Sequence, residues 1–538
     1  MPNGVAERRL IRRRGFLGAA AAGAALLAGC EGAHEIPGGF TGIDVARGHA
    51  LRDRTLGAGK APAATRRTRV VIAGSGVAGL AAARALRLAG IEDFVLLELE
   101  DTAGGNSRGG MVEGIACPLG AHYLPLPGDA AHEVQDLLEE LGLRRRVAGR
   151  WQYDELHLCH SPQERLFIDG AWQEGLLPMA GVSAATLAQY RRFAERVDAL
   201  GREARFVIPT LRVEPAPTLL ALDALSFEAW LAREGLDDPH LRWYLDYCCR
   251  DDYGAGLGAV SAWAGIHYFA SRHGFRVPGD DPPQDDGDAD AVLTWPEGNA
   301  WLARRLAEPL GDRLRKGQAV VRIAELRGGV EVDAFDCAAQ SVVRWQAERC
   351  IVALPVFIAA RVVENPPAPL VVAAAALSHS PWLVANLHLR GPLADRPGAP
   401  PSWDNVIYGS AGLGYVDAQH QSLNPMPGAT VLSWYRPLGP SAFDGPDARR
   451  RLLERPWTGW RDDLLAELSV PHPDLPALAT RVEITRYGHA MAIPAPGLLR
   501  ELGARPRIVA GRLAFAHSDW SGYSVFEEAF TRGTLAAG

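Results

Sequence analysis

An α/β fold of two interleaved domains, one of them built on a Rossmann-type parallel sheet, is predicted by three observations. Near residue 70 a buried β-strand runs into a G-x-G-x-x-G turn and an Ala/Leu-rich helix, followed by a second strand with an acid near its end. Segments of related character return after residue 291 and again after residue 481. Between them lie one stretch with helical periodicity and one with strand-like alternation.

The first of these reads "TRVVIAGSGVAGLAAARALRLAG" from Thr68. Val70 to Ala73 form the strand, and Gly74, Gly76 and Gly79 supply the glycines, with Ser75, Val77 and Ala78 between them. Gly74 permits the tight turn, Gly76 lets a pyrophosphate approach the backbone, and Gly79 lets helix and strand close together. The helix N-terminus then faces the phosphates. In "FVLLELE", Glu98 lies 19 residues after Gly79, beside Leu99, where an acid binds the ribose hydroxyls of an adenosine. Strand, glycines, helix, strand and acid in register specify a dinucleotide site without choosing between FAD and NAD.

The next segment makes that choice. "ELEDTAGGNSRGG" places Gly104 and Gly105 just beyond Glu98. It resembles the second glycine motif of the flavin-containing amine oxidase and phytoene desaturase superfamily, E-x-x-x-R-x-G-G-R-x-R. Glu98, Gly104, Gly105 and Arg108 match, while Thr102 and Asn106 replace two arginines, so phosphate contacts there differ in detail. "PLGAHYLP", with Gly120, Ala121 and His122, resembles the family segment beside the isoalloxazine. Downstream, "WPEGNAWLARRLAEPLG" resembles the start of a family helix, with Asn299 for its second glycine, and "QAVVRIAEL" puts Val320 where the family contacts adenine. "ERCIVALP" resembles the strand that re-enters the FAD domain. In the closing "GRLAFAHSDWSGYSVFEEAFTRGTLAA", Asp519 matches the acid that binds the ribityl chain. Ser524, Val525 and Phe526 begin the last helix under the flavin, whose dipole favours a reduced, anionic flavin. His517 and Glu528 stand where the family often has glycine. The resemblance implies FAD as cofactor and a discontinuous FAD domain at 67–150, 291–365 and 481–538, interleaved with a substrate domain at 151–290 (helical) and 366–480 (strand-rich).

Ahead of these, residues 12–30 read "RRRGFLGAAAAGAALLAGC". Arg13, Arg14, Phe16 and Leu17 give R-R-x-F-L before a short apolar run, which resembles a twin-arginine (Tat) signal peptide spanning residues 1–29. That run is too short to span a bilayer comfortably. "LAGC" resembles a lipobox, making Cys30 the lipidation site of a periplasmic-side, membrane-anchored lipoprotein. Tat substrates leave the cytoplasm folded, as a protein loaded with FAD must. Residues 30–66 read as a linker without helical or strand periodicity.

Composition narrows the function. Of the 538 residues, 1–29 carry five arginines against Glu7, so the formal charge of −7 becomes −11 without them. A chain this acidic has no electrostatic reason to bind nucleic acid. Seven cysteines without CxxC or Cys/His spacing indicate no metal site and, for a protein folded before export, mostly free buried thiols. "GDDPPQDDGDADA" (279–291) lacks calcium-loop spacing and reads as a surface loop.

Many relatives keep a lysine near flavin N5. Here Val384 occupies that place, and the two lysines of the chain, Lys60 and Lys316, lie elsewhere. His489 is the first candidate for proton transfer and His122 the second, with His517 also near the flavin, because histidine titrates closest to neutrality. Tyr523 is a candidate cage residue facing the flavin, opposite His489 and Met491. "PSWDNVIYGSAGLGYVDAQHQS" (401–422) is a candidate lid, pocket wall or surface loop, with Trp403, Asp404, Asn405 and Tyr408 as contacts. The expected activity is hydride transfer from an organic substrate to flavin: an amine, or a C–C bond in a desaturase or dehydrogenase reaction. Oxygen or a respiratory carrier is the acceptor. The alternative is a non-catalytic FAD-binding scaffold or interaction protein at the cell envelope.

Overall fold

The computed structural model describes residues 35–279, 291–394, 396–424, 426–503 and 507–538. The signal-like residues 1–29 and Cys30 lie outside them.

Val70–Ala73 is buried along its whole length because it lies inside a six-stranded sheet. The strand order is Leu314–Arg315, Phe94–Leu97, Val70–Ala73, Arg349–Val352, Leu513–Phe515 and Ile508–Ala510. All neighbours run parallel except the last pair. Three stretches distant in sequence therefore build one sheet. Its apolar runs, without alternation, reflect burial on both faces. The helix Val77–Leu88 follows the first strand, and the terminal helix Phe526–Ala537 closes over it. The two helices approach so closely that a Cβ on Gly533 would lie 2.0 Å from the Ala78 carbonyl oxygen.

A second, eight-stranded sheet carries His379–Leu389 and Thr430–Pro437 at its centre, each fully buried. Buried polar groups there are paired, as burial demands: Ser433 Oγ donates to Asn386 Oδ1 at 2.6 Å, and Asn386 Nδ2 donates to the Pro118 carbonyl at 2.9 Å. Against this sheet lies a helical layer that includes Pro239–Tyr253. Asp238 caps that helix by accepting from His240 N and Leu241 N, Pro239 opens its first turn, and Gly254 (φ +68°) ends it.

Three expectations change. Residues 38–66 are not a featureless linker: Gly38–Phe40 pairs in parallel with Val482–Ile484, Val45–Arg52 is a helix, and Pro62–Arg67 is an edge strand of a four-stranded sheet. The short, polar strands are held by neighbours distant in sequence, so their own pattern shows no period. Ala479–Ala492 is one long strand of the eight-stranded sheet, so the third nucleotide-binding segment starts after it and not at 481. The 401–422 stretch is neither lid nor loop but two internal strands, Asp404–Ile407 and Tyr415–Asp417. The six cysteines of the described region are all free.

Candidate active site

Where Val70–Ala73 ends, Gly74 turns with φ +94°, and a Cβ there would lie 2.5 Å from the Ala353 carbonyl oxygen. A Cβ on Gly79 would lie 1.9 Å from the Gly74 carbonyl oxygen. Gly104 and Gly105 also have positive φ, and a Cβ on Gly105 would come within 3.1 Å of Gly76 Cα. The two glycine turns thus meet backbone to backbone, bridged at Gly76 and Gly104. The helices Val77–Leu88 and Phe526–Ala537 both begin here without a side-chain cap, leaving N–H groups for the anionic groups of a ligand. Glu98 is buried at the lip, where its carboxylate accepts from Ser75 N (3.0 Å), Ser75 Oγ (2.6 Å) and Glu100 N (2.9 Å). The resulting cleft is lined by every predicted cofactor residue except Gly79, Gly120 and His122. Gly79 serves helix packing, whereas Gly120 and His122 line the adjoining cavity.

Asp519 lies at the inner end of the cleft, 1% exposed. It accepts from Val356 N at 2.9 Å, with His379 Nε2 at 3.2 Å and His517 Nδ1 at 3.3 Å. Burial alone would raise its pKa, but His517 and His379 outweigh that and hold the carboxyl well below its ordinary range. His489 also lines this cleft, stacked on Phe357 with ring centroids 4.4 Å apart. Desolvation within the walls, together with Arg449 and His379, lowers its pKa to about 4.

The cleft opens into a second cavity through walls that both share, including Ala121, Asn299, Ala490 and Ser524–Phe526. Trp382, Val384, Tyr435, Tyr487 and Met491 give it an apolar surface. The hydroxyls of Tyr435 and Tyr487 donate to the carbonyls of Gly120 (3.0 Å) and Leu119 (2.7 Å), so these rings are fixed against the predicted isoalloxazine segment. Neither lysine lines the cavity, and Val384 does. The sheet register explains Tyr487 and Met491: Trp382 pairs with Tyr487 and Ser380 with Met491. Gly488, His489 and Ala490 therefore bulge opposite Pro381 alone, which breaks the strand alternation and turns His489 toward the cleft.

The far side of this cavity is acidic. Asp251, Asp252 and Glu527 line it with Arg272. Asp252 is matched: it accepts from Tyr523 Oη at 2.7 Å and from Arg272 at 3.1 Å. Asp251 is raised from 3.8 to about 7 by burial and by Asp252. Glu527, in the first turn of the terminal helix, is raised to about 7, mainly by burial. An outer pocket shares His122, Tyr123, Asp251 and Arg272, and adds Glu164, Trp403 and Asp404. Burial, Glu164 and Asp251 push Asp404 well above the carboxylate range.

His122 stands where these two cavities meet, its ring 4.3 Å from that of Tyr435 and 5.5 Å from that of Trp403. Desolvation lowers its pKa to about 3, which leaves it a neutral member of an aromatic wall. Trp403 and Asp404 line the outer pocket as expected, but Tyr523 and Tyr408 line none of these three spaces. Tyr523 is 1% exposed behind the wall because its buried hydroxyl needs Asp252 and Arg272. Tyr408 packs on Trp243, with centroids 4.5 Å apart, beside His240. Asn405 faces away too, accepting from Arg165 Nε at 2.5 Å.

Asp251, Asp252, Arg272, Glu527, Tyr435 and Tyr487 are thus site residues that the sequence reading missed. A signal existed for the aspartates. Two acids in the last turn of an aromatic helix oppose the helix dipole and call for a tertiary reason.

The flavin-containing amine oxidoreductase family pattern matches residues 77–410, more than half of the chain. No curated protein sequence matches it. Among solved structures, a putrescine oxidase with bound putrescine is 20% identical, with a TM-score of 0.66 over 88% of this chain and 98% of that one. The cyclohexylamine oxidase of Brevibacterium oxydans is 19% identical, with a TM-score of 0.62 over 87% and 98%. A fatty acid isomerase from P. acnes is 14% identical, with a TM-score of 0.58 over 87% and 97%. The opposed glycine turns, the two uncapped helix N-termini and the buried Glu98 fit FAD. The chain belongs to the flavin-containing amine oxidoreductase family, as an amine oxidase-like oxidoreductase with FAD as cofactor.

Proposed function

We infer that the substrate is a cationic amine, with a second positive charge received in the outer pocket. The observation that carries this is the run of carboxylates from Glu527 and Asp251 to Asp404 along the connected cavities. Unmatched carboxylates buried side by side are unfavourable, and a bound ammonium offsets that repulsion. The putrescine oxidase holds a diamine in the same fold. The fatty acid isomerase acts on a carboxylate-bearing chain. A carboxylate entering between Asp251 and Asp404 would further oppose their ionisation, whereas an ammonium favours it, so the amine reading is favoured.

When bound, FAD supplies a hydride acceptor. The residues of the chain do the rest. Trp382, Val384, Tyr435 and Tyr487 exclude water and hold the reacting carbon of the amine in an apolar space. Asp251, with a pKa near 7, takes the proton of the incoming ammonium and frees the nitrogen lone pair, so that loss of a hydride from the α-carbon leaves an iminium ion. His489 and His122 are neutral at physiological pH and polarise or shape their surroundings without titrating there. Export as a Tat-dependent, Cys30-anchored lipoprotein, with oxygen or a respiratory carrier as acceptor, completes the proposal, and it rests on the resemblance of residues 12–30 to such signals.

The test is anaerobic bleaching of the flavin in the purified protein. Diamines should reduce it faster than monoamines of equal length, and fatty acids should not reduce it. Reduction by fatty acids alone would overturn the amine reading. A flavin reduced by dithionite but by no amine would favour the scaffold alternative.

A further inference from the structure

The segment before the first glycine turn reaches the cofactor cleft although it lies outside the family match, which begins at residue 77. Gly48 and Leu51, on the helix Val45–Arg52, line the cleft together with Glu98, Leu99 and Val320. We propose that residues 38–67 form a strap that closes the adenosine end of the cleft and slows the escape of FAD.

The strap is fixed at both ends and in the middle. At one end, Gly38–Phe40 pairs with Val482–Ile484 at the edge of the eight-stranded sheet, and the Phe40 ring lies 3.6 Å under the Arg486 guanidinium. At the other, Pro62–Arg67 pairs with Val342–Gln346 at the edge of the four-stranded sheet. Between them, the helix is tied to the chain just past Glu98. Arg47 donates to the Leu99 carbonyl at 3.3 Å and to Asp101 at 2.8 Å, and Asp44 N donates to the Glu100 carboxylate at 3.2 Å. Asp44 also caps the helix, accepting from Arg47 N at 2.9 Å.

This middle attachment reaches the cleft by two routes. Leu51 is buried in the same apolar cluster as Val320, the residue at the adenine position. Glu100, held by the strap, lies 3.8 Å from the guanidinium of Arg108, which lines the cleft. A ligand seated between Glu98 and Val320 leaves only if this helix lifts from Leu99–Asp101 or the cleft opens elsewhere. Tight retention suits an exported flavoprotein, which would meet no pool of fresh FAD after export.

The experiment uses the full-length holoprotein and the Asp44→Ala/Arg47→Ala double variant. After dilution, release of FAD is followed by the rise in free flavin fluorescence, and melting temperatures are measured with and without FAD. The double variant should release FAD at least about tenfold faster. It should also lose more melting temperature in the holo form than in the apo form, because ligand stabilisation depends on affinity. Arg47→Lys should restore much of the retention. Arg52→Ala, which removes a pairing with Asp53 just past the helix end, should leave it unchanged. An unchanged release rate in the double variant, or equal losses of apo and holo stability, would overturn the proposal by showing that the segment only supports the fold.

Discussion

Replacing Asp251 by Asn should stabilise the protein and impair amine oxidation together, in a way that depends on pH. The carboxyl is raised from 3.8 to about 7 in the folded state, by burial first and by Asp252 second. A group with a raised folded value weighs against folding above its unfolded pKa, and the penalty is complete only above its folded pKa. At about 1.36 kcal/mol per pH unit, ionisation of Asp251 costs the native state about 4 kcal/mol at pH 8. At pH 5 the cost is about 1.6 kcal/mol, and below pH 3 it vanishes. Water reaching the partly buried side chain makes these upper bounds. For a body of about 500 residues, 1 kcal/mol moves the melting temperature by about 1 °C. Differential scanning calorimetry with saturating FAD should therefore find the variant more stable by up to about 4 °C at pH 8 and by up to about 2 °C at pH 5. In stopped-flow reduction, the wild-type rate with a diamine should rise as pH passes 7, and the variant should lose that rise. A variant less stable at pH 8, or a stability difference that ignores pH, would refute a desolvated, ionising Asp251.

Other substitutions test separate parts of the site. Gly79→Ala places a Cβ 1.9 Å from the Gly74 carbonyl oxygen, so backbone must move, and the protein should purify largely without flavin absorbance at 450 nm or fail to fold; normal flavin content would contradict the tight turn. His122→Phe and His489→Gln should each leave the pH midpoint of flavin reduction in place, since burial already lowers these imidazoles to about 3 and about 4. A midpoint lost with either would transfer the proton role from Asp251 to that histidine. Cys30→Ser should move the protein from the membrane fraction to the soluble fraction of the envelope, as judged by fractionation and blotting, if the lipobox is used.

Much of the cofactor site was legible because a dinucleotide imposes its demands on adjacent residues. Gly74, Gly76, Gly79 and Glu98 lie within 25 positions; Gly74, Gly76 and Glu98 line one cleft, and Gly79 packs beneath its turn. The strand pattern was less faithful. The stretch with strand-like alternation contains His379–Leu389, a strand buried on both faces, where polar Asn386 survives because Ser433 and the Pro118 carbonyl satisfy it. Residues 38–66 carry no internal period because two sheet edges and the Leu99–Asp101 turn hold them. The substrate side was hardest to read. Met491 was noticed and Tyr487 was not, although pairing with Ser380 and Trp382, two residues apart on the neighbouring strand, puts both on one face. Tyr523 looked like a cage residue from its place in "WSGY", yet its hydroxyl is committed to Asp252.

Asp251 and Asp252 illustrate what sequence alone withholds, and they make opposite predictions. Adjacent residues on a helix point about 100° apart. Both line the cavity shared with Glu527, but Asp252 also meets Tyr523 and the guanidinium of Arg272 by hydrogen bonds. Burial opposes the charge on Arg272, and Asp252 is the largest influence holding it cationic. Asp252→Asn would strand that guanidinium in the wall, a change that typically costs about 3–5 kcal/mol. It should therefore lower the melting temperature by about 3–5 °C at pH 8, where Asp251→Asn raises it. Two substitutions of the same chemistry, one residue apart, would then move stability in opposite directions. If both lower it, Asp251 is matched as Asp252 is, and the acidic cavity loses its reason to hold an ammonium.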